Sequence, residues 1–290
     1  MTEARAKVTL PDLFEKVAKR EPIAWLTCYD YPTACFQEKA GIEMILVGDS
    51  LGMTMLGYDS TLPVSMDDMI RHASAVRRGA PKAFLVGDMP YMSYQPSNEL
   101  AVLNAGRFMS ECGCDAIKLE GGAAMAPRIK AIVDAGIPAI GHLGLTPQSV
   151  AALGGFRLQG KSAALAKVIA DDAKVLEEAG AFAILLELVP DRVCQIITDR
   201  AENCIIMGLG SGPHAHGQLL IYHDMFGLYP KFKPKMAKIF GDAGEVIFKG
   251  LKAYHDEVKE GKFPARENWF SMKEDEFESL QKMLGITHKF

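Results

Sequence analysis

Short apolar runs alternate with polar or amphipathic stretches along most of the chain. The runs are four or five residues long, as in buried strands, and the stretches between them suit helices. Eight runs are predicted as strands: residues 23–27, 44–47, 84–87, 116–119, 138–141, 182–186, 204–207 and 218–222. Such alternation predicts a parallel sheet, and eight units predict closure into a (β/α)8 TIM barrel of the α/β class.

Helices are predicted at both ends of the barrel. A short helix is expected within residues 8–20, and a helical, charged tail within residues 226–290. The tail is expected to pack on the barrel or on a neighbouring subunit, so residues 1–290 are predicted as one domain. An open doubly wound sheet is the alternative, but no Gly-x-Gly-x-x-Gly sequence opens the first βα turn.

One helix has a clear amphipathic pattern, from Ser162 to Ala179. Its apolar residues recur at helical spacing, which predicts the face that packs on the barrel. That face is predicted from Leu165, Val168, Ile169 and Leu176.

Acids follow three of the predicted strands at equivalent positions. These acids are Asp49, Asp88 and Glu120. Active sites of α/β barrels lie at the C-terminal ends of the strands, so the three carboxylates are expected to converge there. Clustered carboxylates need a compensating cation, and Mg²⁺ prefers oxygen ligands. The pattern predicts a Mg²⁺ site, which a 2-oxo acid would complete. Capping of the next helix is the alternative for any single acid.

Lys118 lies two residues before Glu120, so both side chains should point into the barrel. A buried lysine needs a partner. It could bind a substrate carboxylate, form a Schiff base, or make a structural ion pair with Asp88 or Glu120. Next to a metal, charge pairing is the favoured role.

Two further strand ends carry groups suited to proton transfer. Glu187 ends an apolar strand, and burial would raise its pKa toward the range of a general base. His142 ends the preceding strand and could polarise a substrate oxygen or move a proton; a backbone hydrogen bond is the alternative. Ser50 could hold a substrate carboxylate.

The segment Gly208–Gly212 follows the seventh strand, where many barrels bind phosphate. No arginine or lysine is adjacent. A flexible edge that allows close approach of a flat ligand is the alternative interpretation.

Charge and composition exclude several classes of protein. The 290 residues carry a formal net charge of −4, which does not indicate binding to nucleic acid or to an anionic membrane. No apolar run approaches the ~18 residues of a membrane span, and the first twenty residues do not resemble a signal peptide. Six scattered cysteines predict reduced, buried thiols rather than a disulfide framework.

These segments resemble the ketopantoate hydroxymethyltransferase family, whose members are 3-methyl-2-oxobutanoate hydroxymethyltransferases. The resemblance extends from about residue 8 to about residue 270. The matching segments are residues 47–53, 59–64, 77–81, 88–94, 118–122, 141–149, 154–156, 186–190, 223–225 and 261–264.

The resemblance implies a (β/α)8 barrel that uses Mg²⁺ and takes a one-carbon unit from 5,10-methylenetetrahydrofolate. The acceptor would be 3-methyl-2-oxobutanoate, and the product 2-dehydropantoate, in pantothenate biosynthesis. An enolate formed with help from Mg²⁺ would attack the one-carbon unit. Family members are cytoplasmic homo-oligomers, commonly decamers.

The same resemblance implies a role for each candidate residue. Asp49 and Asp88 would bind the metal and the substrate, and Glu120 would lie at the metal. Ser50 and Lys118 would hold the 2-oxo acid. Glu187 would be the proton acceptor, and His142 would lie close to the substrate.

Two positions depart from the family pattern. Ser211 and His216 stand where the family usually has alanine and aspartate. These two replacements would affect either the folate side of the site or a structural bond near the eighth strand.

Two other functions compete with this prediction. One is a metal-dependent aldolase or lyase that acts on a 2-oxo acid without folate. The other is a barrel kept as a scaffold or regulator, although the candidate catalytic residues are all present.

Overall fold

The computed structural model describes residues 5–286. They form two compact units, residues 5–240 and residues 241–286. The prediction of one domain over residues 1–290 stays a prediction. Residues 1–4 and 287–290, which that prediction and the predicted tail include, lie outside the described residues.

The first unit contains a closed barrel of eight parallel strands within the described residues. Each strand pairs with its neighbours in chain order, and the eighth closes on the first. The (β/α)8 prediction is therefore confirmed. The strands are β1 (Ile23–Thr27), β2 (Met44–Val47), β3 (Phe84–Asp88), β4 (Ala116–Glu120), β5 (Ala139–Gly144), β6 (Ala183–Glu187), β7 (Ile205–Leu209) and β8 (Gly217–Leu220).

Helices follow most of these strands. The predicted N-terminal helix is present, at slightly narrower bounds. In the first unit the helices are α1 (Leu10–Ala18), α2 (Tyr31–Ala40), α3 (Leu51–Thr54), α4 (Met66–Gly79), α5 (Asn98–Cys112), α6 (Ala126–Asp134), α7 (Val150–Leu153), α8 (Ala163–Glu178), α9 (Asp191–Arg200) and α10 (Tyr222–Met225). No helix among residues 5–286 combines the length and the apolar character needed to span a bilayer.

Side chains on the strands alternate between two apolar cores. The inner core fills the barrel and includes Trp25, Met44 and Phe84; the outer core lies between strands and helices. This alternation follows from the period of two in a strand. It decides which strand-end side chains point into the barrel mouth.

The glycine that precedes the acid at the end of β3, Gly87, is required by a close contact with a helix. A Cβ at this position would lie 2.3 Å from the ring of Phe108, which belongs to α5. The helix therefore approaches the strand closely at the position before Asp88. The sequence Gly-Asp here combines a packing requirement with a functional side chain.

The predicted packing face of α8 is partly wrong. Leu165 and Val168 are 57% and 56% exposed, whereas the buried residues are Ala170, Ala173 and Leu176. Ile169 is partly buried against the outer core. Small alanine side chains let the helix approach the sheet, so the contact face is rotated away from the largest apolar side chains.

The second unit is helical, as predicted for the tail. It contains α11 (Ala243–Lys259) and α12 (Glu274–Leu284), with a 3₁₀ turn between them. In α11, Val246, Phe248 and Leu251 are each more than half exposed. The chain before this unit, residues 226–240, is irregular rather than helical.

Candidate active site

Five strand-end side chains enter the mouth of the barrel from four neighbouring strands. Asp88, Lys118, Glu120, His142 and Glu187 continue the inward-facing sets of β3, β4, β5 and β6, and all are buried. Asp49 joins them from the turn after β2, and it is buried as well. The structure therefore brings together the acids, the lysine and the histidine that the sequence predicts.

A cavity of about 160 Å³ opens above these groups. Its floor carries the polar strand ends, and its upper wall is largely apolar. Phe156, Tyr229 and Phe232 line the upper part, and their side chains remain partly exposed. The cavity thus combines a charged floor with an aromatic entrance.

Lys118 is paired with an aspartate, as one of the alternatives predicts. Its Nζ lies 2.8 Å from Asp88 Oδ1. Burial opposes the charged ammonium, but the negative charges of Asp88, Glu120 and Asp49 outweigh this effect and raise the pKa of Lys118. A protonated amine is not nucleophilic, so the pairing favours a binding role over a Schiff base.

Asp88 also fixes the turn that carries Asp49. Its Oδ2 accepts a hydrogen bond from the backbone N–H of Asp49 at 3.1 Å. The two aspartates, which come from adjacent strands, are therefore held side by side. Their carboxylates face the same region of the cavity floor.

His142 lies between Lys118 and Glu187. Its Nδ1 is 3.3 Å from Lys118 Nζ and 3.5 Å from Glu120 Oε1, and its Nε2 is 3.2 Å from Glu187 Oε2. An ammonium only donates, so Nδ1 must accept from Lys118. Burial and the charge of Lys118 lower the pKa of His142. We infer a neutral ring with its proton on Nε2, the nitrogen nearer to Glu187.

Gln148 is a residue that the sequence analysis did not identify. Its side-chain Nε2 donates to Asp49 Oδ2 and to Met89 O, each at 2.9 Å. Its backbone N–H donates to Glu120 Oε2 at 2.9 Å. One buried glutamine thus orients two carboxylates of the site. It lies in a loop without charge or periodicity, so only its place in a family segment could have indicated it.

Tyr94 fixes the orientation of that glutamine. Its hydroxyl donates to the Gln148 side-chain oxygen at 2.8 Å and accepts from the backbone N–H of Glu120 at 3.1 Å. Because the amide oxygen is occupied in this way, the amide nitrogen must face Asp49. The acidic side of the site is therefore held by a chain of hydrogen bonds.

Ser50 has a buried aromatic partner. Its Oγ lies 2.8 Å from the hydroxyl of Tyr29, which follows β1. Tyr29 is 1% exposed. The contact fixes the Ser50 hydroxyl at the cavity wall, where the sequence predicts that it holds a substrate carboxylate.

Burial and mutual repulsion act on the carboxylates together. Burial, followed by the charges of Asp88 and Glu120, raises the pKa of Asp49 well above its usual range. Burial raises the pKa of Glu120 to about 7, although Lys118 opposes the shift. Burial also raises the pKa of Glu187. Four buried carboxylates thus face one lysine and a histidine that we infer to be neutral.

This charge excess fits a divalent cation. Among residues 5–286, no three His, Cys, Asp or Glu side chains form a complete set of metal ligands. Mg²⁺ does not require such a set, since it is usually held by one or two carboxylates together with water and substrate oxygens. Asp49 and Asp88 are the pair that the sequence predicts for this role. The three-carboxylate site with Glu120 remains a prediction.

The glycine-rich segment after β7 is packed rather than open. A Cβ at Gly210 would lie 2.5 Å from Met236 Sδ, and one at Gly212 would lie 2.6 Å from Asp191 Cβ. The Gly212 carbonyl accepts from the side chain of Gln218 at 3.0 Å. These glycines allow close packing at the cavity edge. No arginine or lysine is adjacent to them in the sequence that would support phosphate binding.

His216 makes a structural bond at this edge. Its Nδ1 accepts from the backbone N–H of Ile206 at 3.0 Å, and its own backbone N–H donates to Ile206 O. The histidine at this departure from the family pattern therefore ties the chain before β8 to β7. A structural bond beside β8 is therefore made at this position.

The described cysteines are free, as predicted. Five are buried and Cys35 is partly exposed. None of them lines the cavity.

The chain is similar to a family of known activity. The family model described as ketopantoate hydroxymethyltransferase matches residues 7–266. A 3-methyl-2-oxobutanoate hydroxymethyltransferase of Moorella thermoacetica is 51% identical, over 92% of this chain and 98% of its own. The protein of that name from Syntrophobacter fumaroxidans is 49% identical, over 98% and 99% of the two chains.

Solved structures share the fold at low sequence identity. A phosphonopyruvate hydrolase in complex with oxalate and Mg²⁺ has a TM-score of 0.59 and 12% identity, and covers 96% of this chain and 98% of its own. A 2,3-dimethylmalate lyase, described as a member of the PEP mutase/isocitrate lyase superfamily, has a TM-score of 0.59 and 13% identity. It covers 97% of this chain and 98% of its own. At this identity, the likeness concerns the fold alone.

Proposed function

This chain belongs to the ketopantoate hydroxymethyltransferase family and is an enzyme of that activity, and we propose that it works with Mg²⁺ and 5,10-methylenetetrahydrofolate. The acceptor is 3-methyl-2-oxobutanoate and the product is 2-dehydropantoate. The observation that carries the proposal is the convergence of Asp49, Asp88, Lys118 and Glu187 on one buried floor, in a chain about half identical to such enzymes.

Asp49 and Asp88 are the proposed metal ligands, with Glu120 beside them. They come from adjacent strand ends, and the bond from the Asp49 N–H to Asp88 holds them together. When bound, Mg²⁺ would supply a Lewis acid that polarises the substrate's keto oxygen. Substrate oxygens and water would complete the coordination, as is usual for this ion.

Lys118 and Ser50 are the proposed carboxylate-binding residues. Lys118 keeps its charge because its carboxylate neighbours favour the ammonium form. The Ser50 hydroxyl is held by Tyr29 and can donate one hydrogen bond to the ligand when Tyr29 donates to it. Together they would orient the 2-oxo acid with its reacting carbon toward Glu187.

Glu187 is the proposed general base. It would accept the proton from the carbon next to the ketone, leaving an enolate that forms a C–C bond to the one-carbon unit. The C–N bonds between that unit and the folate would break, tetrahydrofolate would leave, and water would supply the hydroxyl oxygen. His142 Nε2 lies 3.2 Å from Glu187 Oε2, and this contact lowers the pKa of Glu187, which favours the carboxylate form before the proton moves.

The folate is proposed to bind at the aromatic entrance of the cavity. Phe156, Tyr229 and Phe232 offer flat apolar surfaces above the charged floor. A pterin ring matches such a surface in shape and polarity. Lys118 is the single lysine or arginine among the described residues that line the cavity, which argues against a phosphate-bearing substrate.

A cytoplasmic homo-oligomer, commonly a decamer in the family, is also proposed. Free thiols suit a reducing compartment. The exposed apolar side chains of α11 suit contact with another subunit. The charge and composition offer no support for nucleic-acid or membrane partners.

Turnover with and without folate tests the proposal. With Mg²⁺ and 5,10-methylenetetrahydrofolate, purified protein should convert 3-methyl-2-oxobutanoate to 2-dehydropantoate. Product should not form at that rate when free formaldehyde replaces the folate. Equal rates with free aldehyde would instead support the folate-independent aldolase or lyase. No reaction under either condition would contradict both proposals.

A further inference from the structure

Asp224 is a cavity residue to which the proposed mechanism assigns no role. It belongs to α10, the short helix after β8, and its side chain lines the cavity. The ends of β7 and β8 and residues 221–236 form one side of this cavity. Among the described lining residues on that side, Asp224 is the single charged one, and its companions, such as Phe232 and Met236, are apolar or aromatic.

No neighbour neutralises the Asp224 carboxylate. Burial raises its pKa to about 6, and no hydrogen bond or cation within residues 5–286 opposes this shift. Other carboxylates of the mouth do have partners, since Asp88 pairs with Lys118 and Glu120 accepts from the Gln148 N–H. A carboxylate that lies beside apolar groups without a partner is destabilising, and such groups are typical of functional sites.

The turn that carries Asp224 is anchored to the end of β1. The backbone N–H of Tyr222 donates to Thr27 Oγ1 at 2.9 Å. The ring of His223 packs on that of Tyr29, with the ring centroids 5.3 Å apart. A carboxylate on an anchored turn loses little conformational freedom when a ligand binds, so less of the binding free energy is lost to ordering.

The same segment supplies an aromatic surface to the cavity. The N–H of Leu228 donates to His223 O at 2.9 Å, which closes a turn, and the next residue, Tyr229, lines the cavity. Tyr229 and Phe232 pack edge to face, with ring centroids 5.5 Å apart. A short stretch of chain therefore provides both a flat apolar surface and a carboxylate without a partner.

This combination suits a flat heterocycle whose edge carries hydrogen-bond donors. The pterin ring of a folate has such an edge, because its 2-amino group and its N3–H lie side by side. Two parallel N–H groups match the two oxygens of a carboxylate, as in the bidentate pairs that arginine forms. The negative charge of Asp224 would repel the folate's glutamate tail. The pterin end is therefore the end that fits.

We propose that the Asp224 carboxylate binds the 2-amino and N3–H edge of the pterin, with the ring against Tyr229. The inference rests on the proposed function, in which a folate donates the one-carbon unit. It places the pterin at the β7–β8 side of the closed barrel, opposite β3 and β4, which carry Asp88 and Lys118. Glu187, at the end of β6, lies between the two sides.

The test is calorimetric titration of the Mg²⁺-loaded protein with tetrahydrofolate. Asp224→Leu removes both acceptor oxygens at similar side-chain size. Kd for tetrahydrofolate should rise roughly 10–100-fold, because hydrogen bonds to a charged group are strong. Asp224→Asn keeps one acceptor and should give an intermediate Kd. Exchange of the substrate's C3 proton without folate, followed by NMR, should stay within about twofold, since the pterin takes no part in that step.

A ligand without the 2-amino group tests the contact from the other side. 2-Desamino-tetrahydrofolate lacks one of the two donors, so the unmodified protein should bind it at least roughly tenfold more weakly than tetrahydrofolate. In Asp224→Leu the two ligands should differ by less than about threefold, because the partner of that donor is gone. A difference as large as in the unmodified protein would place the 2-amino group against another residue and overturn the inference.

Asp199→Leu is the matched control. Asp199 lies on the exposed side of α9 and does not line the cavity. The same substitution there also removes one negative charge, but Kd for tetrahydrofolate should stay unchanged. This separates a change in net charge from the loss of a local contact.

The outcomes distinguish the two proposals. If the unmodified protein binds tetrahydrofolate and Asp224→Leu binds it equally well, the inference is wrong and the proposed function stands. A rise in Kd that Asp199→Leu reproduces, or a loss of C3 exchange together with folate binding in Asp224→Leu, also overturns the inference. If the unmodified protein neither binds tetrahydrofolate nor turns over with 5,10-methylenetetrahydrofolate, the proposed use of folate fails, and the inference fails with it.

Discussion

His142 Nε2 lies 3.2 Å from Glu187 Oε2, while Lys118 approaches the opposite nitrogen of the same ring at 3.3 Å. The lysine therefore determines which nitrogen of the histidine carries the proton, because an ammonium cannot accept one. That proton is then on the nitrogen that lies nearer to the proposed base. The lysine proposed to bind the substrate's carboxylate therefore also sets the tautomer of the histidine beside the proposed base.

The first prediction concerns the base itself. Glu187→Gln keeps the size of the side chain but removes its basicity. Exchange of the substrate's C3 proton should fall by roughly 10²–10⁴-fold, the usual contribution of a general base. NMR measures the exchange, and calorimetry should show unchanged Mg²⁺ binding. The control is Glu178→Gln on the exposed side of α8; normal exchange in Glu187→Gln would rule out this base.

The second prediction concerns the acidic limb of the pH profile for exchange of the substrate's C3 proton. Glu187 acts as the carboxylate, and burial raises its pKa, so exchange should fall at a pH above the usual ~4.3 of glutamate. The contact with His142 lowers that pKa. In His142→Leu the limb should therefore move to higher pH. His255→Leu, at an exposed position in α11, should leave the limb in place; an unmoved limb in His142→Leu would show that the two side chains are not coupled.

The third prediction concerns the metal ligands. Asp49→Asn and Asp88→Asn each remove one anionic oxygen ligand from the proposed pair. The Mg²⁺ concentration for half-maximal exchange should rise at least roughly tenfold in either variant, since hard cations prefer carboxylates. Asp134→Asn, on the exposed face of α6, is the control. Metal titrations identical to that of the unmodified protein in both variants would place the metal elsewhere.

The fourth prediction tests the role of Gln148. Gln148→Met keeps a side chain of similar length but removes the donor to Asp49 Oδ2. Mg²⁺ affinity should fall by roughly 10–100-fold, as for other partners of metal ligands. Calorimetric titration of the folded variant measures this loss directly, with Gln281→Met in α12 as the control. Retained affinity would mean that Asp49 is positioned without the glutamine.

The candidate active site shows which residues the sequence pattern could predict. The strand-end residues Asp88, Lys118, Glu120, His142 and Glu187 were predictable, because the period of two in a strand decides which side chains point inward. Their burial in one mouth then follows from closure of the barrel. Their roles in catalysis remain predictions that the experiments above address.

The packing of α8 shows where the pattern misleads. A helical period identifies an apolar stripe, and it predicted Leu165 and Val168 as contact residues. The structure buries Ala170 and Ala173 instead. The period cannot tell which part of a broad apolar stripe meets the sheet, because that depends on how closely the two surfaces can approach.

By itself, the sequence determined the barrel, the order of its strands and the side chains that end them, because all of these follow from short-range periodicity. Only the tertiary structure decided which groups orient those side chains. Gln148 reaches Asp49 across 99 positions of the chain, and Tyr29 reaches Ser50 across 21. These partners come from loops and turns that meet only when the barrel closes, so no local pattern specifies them.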